Sequence, residues 1–258
     1  FKDWVLYLID DGSTDKSLKI AQKFVNSDKR IILINDGTNK GLVYRLNQVI
    51  DRADTDYIAR MDADDVMLPE RLERQLEIFE NNKNVDIVAT AAYTIDMNNN
   101  PVGIRDTEKF ELRSYKDILK KSVLIHPSIL VKTKWYKLNM YDKDYFRAED
   151  FELWCRTFKN TVFFKIPEPL MLYREGNVSI KNYTASMKTL RKIIKKYSKG
   201  VLSNFEIKVE ILKTHLKSLI YISFGFFNLQ YLLTKKRNND LSEDQKEFII
   251  NLIINLKE

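Results

Sequence analysis

A chain of 258 residues with 44% hydrophobic and 12% aromatic content is long enough for one large domain with an appendage, and this excludes a disordered segment. One cysteine, Cys155, excludes an internal disulfide and fits a reducing compartment. The net charge of +7 is lopsided: residues 1–180 carry 28 basic and 29 acidic side chains, whereas residues 181–258 carry 15 and 7, a net +8. Such a tail suits an anionic membrane surface or an acidic partner; nucleic acid is set aside because no nucleic-acid motif accompanies the charge.

The chain opens at Phe1 without a methionine, and no signal peptide is visible. "WVLYLID" (4–10) is a short apolar run bounded by acids and glycine, the pattern of a strand covered on both faces. A helix is predicted next, with Ser13 or Thr14 as N-cap, Asp15 in the first turn, and Leu18, Ala21, Phe24 and Val25 facing inward. "RIILIN" (30–35) reads as the second strand. "GLVYRLNQVIDRA" (41–53) reads as a helix with Leu42, Leu46, Val49 and Ile50 on one face, and "DYIARM" (56–61) as the third strand. Beyond the acids that follow, Pro69 is expected to open a helix striped by Leu72, Leu76 and Phe79, and "VDIVATAAYTID" (85–96) forms another strand. Alternating strands and helices predict an α/β fold with right-handed crossovers and a mainly parallel sheet.

From residue 181 the pattern turns helical. Met187, Leu190, Ile194 and Tyr197 form one stripe, and "SNFE" (203–206) and "SEDQ" (242–245) are capping boxes. The apolar run 218–233 spans 16 residues and contains Asn228 and Gln230, short of the about 20 that a bilayer span needs. Two readings stay open for it: a buried helix, or an interfacial helix flanked by Lys217, Lys235, Lys236 and Arg237.

Three acidic stretches carry candidate chemistry. "DADD" (62–65) follows a strand, where Asp62 and Asp64 can turn oxygens toward one point; hard cations such as Mg²⁺ or Mn²⁺ favour such a site. Acids ahead of a helix N-terminus, there only for its dipole, fit equally. An EF-hand loop fails because Met67 stands where glycine is required. "DADDV" also matches the nucleophile motif of haloacid-dehalogenase-like phosphatases, with Asp62 attacking phosphorus; yet two strand–helix units precede it and the later acidic pair is missing. "IDDGSTD" (9–15) is a turn and helix start in which Asp11 could accept hydrogen bonds from a nucleobase imide. No glycine-rich dinucleotide fingerprint or P-loop is present, so acids and a metal would have to hold any nucleotide. "AEDFELW" (148–154) places Glu149 and Asp150 in a first helical turn, either as dipole-favouring acids or with one as a general base. His126 in "IHPS" is a candidate for the same cleft. Trp154 and Cys155 read as buried packing.

Taken together, "IDDGSTDKS", "NKGLVYRLN", "YIARMDADDVMLPERLERQ", "HPSILVK", "AEDFELWCR" and "PEPLMLYR" resemble, in order, the family-2 glycosyltransferases of the GT-A fold. The resemblance covers residues 1 to about 180 and implies a Rossmann-like nucleotide-sugar-binding domain there, with an α-helical extension over 181–258. It implies an inverting, metal-dependent transferase using Mg²⁺ or Mn²⁺, a UDP-sugar as the default donor, and a glycan or lipid-linked acceptor. Asp11, with Asp10 beside it, would meet the nucleobase; Asp64 would hold the metal; Asp62 would reach the ribose or the metal shell. Asp150 would be the base, with His126, Glu149 and Arg174 toward the acceptor or cleft. A cytoplasmic protein, peripheral on the inner face of the membrane, is the matching location. A non-catalytic glycan-binding or membrane-associated module is the third class of reading. Two departures stand out: the family's opening strand, with its base-clasping loop, does not precede Phe1, and Glu175-Gly176 follow Tyr173-Arg174 where many members place a histidine.

Overall fold

The computed structural model describes residues 2–108, 114–120, 124–176, 179–227, 229, 232–233 and 237–256. Strand β1 (Leu6–Ile9), helix α1 (Ser17–Ser27) and strand β2 (Ile31–Ile34) make a unit in which β1 and β2 pair in parallel. Helix α2 (Leu42–Arg52) leads to β3 (Tyr57–Ala59) and β4 (Val66–Met67), then α3 (Arg71–Asn81), β5 (Ile87–Ile95) and β6 (Pro101–Arg105). After α4 (Tyr115–Lys120) come β7 (Leu130–Lys132), α5 (Thr133–Leu138), α6 (Glu149–Thr157) and β8 (Phe163–Arg174). Helices α7 (Ile180–Tyr197), α8 (Asn204–Phe226) and α9 (Glu243–Asn255) follow.

The main sheet is six-stranded in the order β3-β7-β5-β8-β4, with β6 also on β5. Strand β5 is its spine. Eight of its nine residues are buried, as its near-continuous apolar sequence requires of a strand covered on both faces. It pairs in parallel with β8 along one edge, and on the other takes β7 at Ile87–Val88 and β6 at Ala92–Ile95. The expected α/β architecture is present, but the sheet is mixed. Besides β1–β2 and β5–β8, the described pairings are antiparallel, because the short β4, β6 and β7 return along strands already in place.

Among the described strands, β1 and β2 do not bond to the main sheet, and the second edges of β1 and β3 carry no partner. That separation explains the chief mismatch in side-chain burial. Helix α1 was expected to bury Leu18, Ala21, Phe24 and Val25, yet none of its residues is buried and Phe24 is 54% exposed. The helix has only a two-stranded ribbon beneath it, too little surface to cover an apolar face. Its start is also later than expected, with Lys16 at the N-cap position; Asp15 still serves the helix end, its Oδ1 accepting from the Ser17 amide at 2.9 Å. Pro69 likewise lies two residues ahead of α3 rather than in its first turn.

The core gathers on both faces of β5. One cluster joins Ile87, Ala89, Val131, Trp135, Leu153 and Trp154 with Ile193 of α7; a second packs Phe79 of α3 against Val88, Leu130 and Ile166; a third joins Ile95, Ile104 and Leu172 with Ile249 of α9. Cys155 is buried and free, as the sequence implied. Both capping boxes form: Ser203 with Glu206 at α8, and Ser242 with Gln245 at α9. The apolar run from 218 continues α8 as far as Phe226; Asn228, Gln230, Lys235 and Lys236 lie outside the described residues. No helix among the described residues is long and apolar enough to cross a membrane.

Candidate active site

A cleft of about 1210 Å³ opens where β1, β3 and α6 present their ends, and Asp11, Arg60, Asp62, His126, Glu149 and Asp150 all line it. Three stretches that are remote in sequence therefore meet at one place, as ligand-binding residues do at strand ends of open α/β sheets.

Asp11 sits at the β1–α1 turn. Its Oδ1 accepts from the Lys40 amide (2.8 Å) and from Arg45 Nε (2.8 Å), and its Oδ2 from the Gly41 amide (2.8 Å). Burial raises this carboxyl's pKa, but the Lys40 amide, Arg45 and the Gly41 amide outweigh it and hold the group below the usual carboxylate value. It is a fixed anion facing the cleft, with acceptor capacity left on Oδ2. Gly12 makes the turn possible. Its φ is +79°, and a Cβ there would lie 2.9 Å from the Asn39 backbone nitrogen. Asp10 does not reach the cleft, contrary to its expected place among the nucleotide-binding acids. It is 6% exposed, and its Oδ2 accepts from the Ser13 amide and the Asn35 side-chain amide, which ties the β1 and β2 loops together.

The second stretch leaves β3. Arg60 donates to Asp62 Oδ1 at 2.5 Å, and Asp62 keeps 40% of its side-chain surface exposed. Asp64, the expected metal ligand, is exposed and is not among the residues that line the cleft; its carboxylate has no hydrogen bond to the described residues, and its carbonyl accepts from Arg174 Nε at 2.9 Å. Asp65 turns inward: burial pushes its carboxyl up to about 7, and its Oδ1 accepts from the Arg174 amide. Arg174 was expected toward the acceptor. Its guanidinium instead bonds Asp64 O, Asp96 O and Asn99 Oδ1, which clamps the acidic loop to the β5–β6 turn. Every nitrogen of the fork is occupied by these bonds, so its role is positional. Glu175, where the missing histidine would follow, pairs with Arg105 and accepts from Asn238.

Beneath the loop lies Arg71, fully buried. It donates to Arg60 O (2.9 Å), Ile129 O (3.3 Å) and Gln75 Oε1 (3.1 Å), while Gln75 in turn donates to Val88 O and Ser128 O. Burial lowers the Arg71 pKa to about 10, partly opposed by the Asp65 charge. This strut fixes the end of β3 against the core.

Asp150 opens α6, where the helix dipole favours an anion. Its Oδ1 accepts from the Phe151 amide at 2.8 Å; burial raises its pKa, and that amide and Arg60 partly offset the rise. A carboxylate with a raised pKa at a cleft wall has the property a general base needs. Glu149, 7% exposed, is raised by burial and further by its neighbour's charge. His126 bonds Tyr141 Oη through Nε2 at 2.7 Å, and Tyr141 bonds Tyr136 Oη at 2.7 Å. Burial pushes the imidazole well below its ordinary pKa, with Arg60 adding to the effect, so it stays neutral.

The sequence reading passed over Arg45 and Arg60. Leu42, expected on the inner face of α2, is 46% exposed, and Arg45 takes the buried position instead; it is 2% exposed and bonds Asp11, Asp36 and Gln48. Arg60 stands at the strand end directly before three acids.

The donor set fits a divalent cation of the hard, water-retaining type. Asp62 and Asp64 supply two outward carboxylates, and such ions commonly take one or two plus substrate phosphates. No group of three or more candidate ligands occurs among the described residues, so the remaining coordination would come from water and substrate.

Comparison with known proteins agrees with this layout. The chain is 34% identical over 185 residues to the uncharacterized glycosyltransferase MJ1057 of Methanocaldococcus jannaschii, covering 71% of this chain and 63% of that one. It is 33% identical to the putative glycosyltransferase EpsE of Bacillus subtilis, covering 70% and 66%. In both cases the chain spans less than two thirds of the relative's length. Among solved structures, S. aureus TarS residues 1–349 in complex with UDP superposes with a TM-score of 0.58 at 18% identity, over 83% of this chain and 62% of that one. The mannosyltransferase PcManGT from Pyrobaculum calidifontis, in complex with GDP-Man and Mn²⁺, gives 0.53 at 13%, over 83% and 60%. These two likenesses establish the GT-A-type α/β fold. The Glycosyl transferase family 2 model matches residues 1–165, and the chain belongs to that family.

Proposed function

We propose that the chain is an inverting, metal-dependent glycosyltransferase that moves a sugar from a nucleotide sugar to a hydroxyl of a glycan or lipid-linked acceptor. The carrying observation is the convergence of Asp11, Asp62 and Asp150 on one cleft. TarS was solved with UDP and with UDP-GlcNAc, and PcManGT with GDP-Man, which supports a nucleotide-sugar donor, a UDP-sugar first. The basic helices after residue 181 would bring the protein to a membrane carrying the acceptor.

In this reading Asp11 accepts a hydrogen bond from the base, and its fixed charge excludes a second anion from that end of the cleft. Asp62 and Asp64 would hold Mg²⁺ or Mn²⁺. When bound, the ion supplies neutralisation of charge on the departing diphosphate. Asp150 takes the proton from the acceptor hydroxyl as that oxygen bonds the anomeric carbon. The carbon–oxygen bond to the diphosphate breaks on the opposite face, and the nucleoside diphosphate leaves with the electron pair. Arg60 pairs with Asp62 and, by its charge, favours ionised Asp150. It thus couples the two ends of the cleft.

The test is a panel of nucleotide sugars screened for melting-temperature shifts with and without Mn²⁺, followed by two variants. Asp64→Ala should abolish the Mn²⁺-dependent shift. Asp150→Asn keeps the acceptor atom that meets the Phe151 amide, so it should bind donor normally while transfer falls by roughly 10²–10⁴-fold. Wild-type turnover by Asp150→Asn would remove it as the base.

A further inference from the structure

Helix α8 presents an apolar stripe to solvent along its whole length. Phe205, Leu212, Leu219 and Phe226 recur every seven residues and are 74%, 56%, 60% and 83% exposed; Leu216 lies between their rows at 49%. The spread from Phe205 to Phe226 is roughly 32 Å at about 1.5 Å per residue. The opposite face is the one that packs. Thr214 and Tyr221 are buried there, Arg191 of α7 donates to Thr214 Oγ1, and Tyr183 of α7 stacks on Tyr221 at 3.5 Å between centroids. Gly225 allows the closest approach, since a Cβ there would meet Ile180 at 2.0 Å. The stripe is therefore not a packing face turned outward by a slipped register: α8 has two apolar faces, one of which is occupied by α7.

We propose that this outer face lies on a lipid bilayer bearing anionic headgroups. Deepening the function proposed above, this identifies the surface that meets a membrane-borne acceptor and rests on that reading for its purpose. Charge selects the occupant. Exposed Lys208 stands in the stripe and exposed Lys213 on its flank, within an extension of net +8, whereas Lys217 falls toward the packed face, one turn before Tyr221. The acids of α8 are engaged locally: Glu206 with Lys116 and the Ser203 cap, Glu210 with Lys213. A second copy seated on the stripe would set Lys208 against a like charge, whereas anionic headgroups would pair with it. Phenylalanines at both ends and leucines between suit shallow burial in the interface. Ser186 of α7 lines the active-site cleft, so the thickness of α7 and α8 together lies between that cleft and the outer stripe.

Vesicle co-sedimentation of the full chain tests this, using phosphatidylcholine vesicles with and without phosphatidylglycerol. Binding should need the anionic lipid and weaken with salt. Leu212→Gln/Leu216→Gln/Leu219→Gln should weaken it by roughly a hundredfold, and Lys208→Gln/Lys213→Gln by roughly tenfold. Circular dichroism and the nucleotide-dependent melting shift, measured without lipid, should stay at wild-type values in both variants. A protein that shifts with nucleotide but ignores anionic vesicles overturns the membrane proposal and leaves the transferase reading intact. Vesicle binding without any nucleotide response does the reverse. A wild-type dimer that the leucine variant converts to monomer, with vesicle binding unchanged, assigns the stripe to self-association and also overturns it.

Discussion

Replacing Arg71 by methionine keeps the length and much of the bulk of the side chain and removes its charge and its donors. The guanidinium is wholly buried and bonds Arg60 O, Ile129 O and Gln75 Oε1. Counting those bonds at roughly 1.5–3 kcal/mol each overstates the loss, because a buried cation also carries a desolvation cost of several kcal/mol that methionine does not. Asp65, a carboxyl that burial raises to about 7, also attracts the guanidinium, whereas Arg71 Nη1 is buried without a hydrogen-bond partner among the described residues. The three lost bonds, net of that relief, amount to a destabilisation of about 3 kcal/mol. With a urea m-value of about 3 kcal/mol/M, the unfolding midpoint should fall by about 1 M, followed by tryptophan fluorescence and far-UV circular dichroism. Asp65→Asn in the same chain should recover about 1 kcal/mol or more, since the two residues share one electrostatic site. Additive effects of the two substitutions, or a midpoint within about 0.3 M of wild type, would refute the strut beneath the acidic loop.

Two further outcomes follow from the geometry. Gly12→Ala forces a side chain onto a left-handed backbone and against the Asn39 nitrogen, so stability should drop by about 1–2 kcal/mol. The shifted loop would carry the Lys40 and Gly41 amides away from Asp11, and donor affinity should fall with it; an unchanged dissociation constant by calorimetry would contradict this. His126 is neutral when folded, and its pKa lies below the unfolded value of about 6.5. The unfolded state therefore binds the extra proton first, and this residue's contribution is present above that value and is lost as pH falls below it. Wild type minus His126→Gln should be flat above pH of about 7 and steepen to as much as about 1.4 kcal/mol per unit under acid. A difference that does not change with pH would show that the imidazole does not titrate on unfolding.

Much of this was legible before any coordinates. The strands around Leu6–Ile9, Ile31–Ile34 and Ile87–Ile95 are apolar runs with clear limits, and both capping boxes depend on local bonds that a few adjacent residues specify. The acids stood out because carboxylates at strand ends are costly without a reason. What stayed hidden was long-range. Strand direction in the main sheet depends on which edges of β5 are taken, and nothing in Leu130–Lys132 encodes that. Asp10 and Asp11 are adjacent and alike in sequence; only the fold turns one toward Asn35 and the other toward the cleft. Arg174 was placed toward the acceptor or cleft through the resemblance alone, and its three acceptors come from residues at least 75 positions away.

The separation of the β1–α1–β2 unit from the main sheet divides the cleft between two supports of unequal strength. Asp11 rides on a ribbon whose helix buries nothing, whereas Asp62 follows an edge strand of the main sheet braced by buried Arg71, and Asp150 opens the largely buried α6. A donor long enough to touch all three would splint the looser half to the firmer one. Amide exchange in Leu6–Ile34 should then slow on nucleotide binding far more than exchange in β5, because that half alone has local freedom to lose.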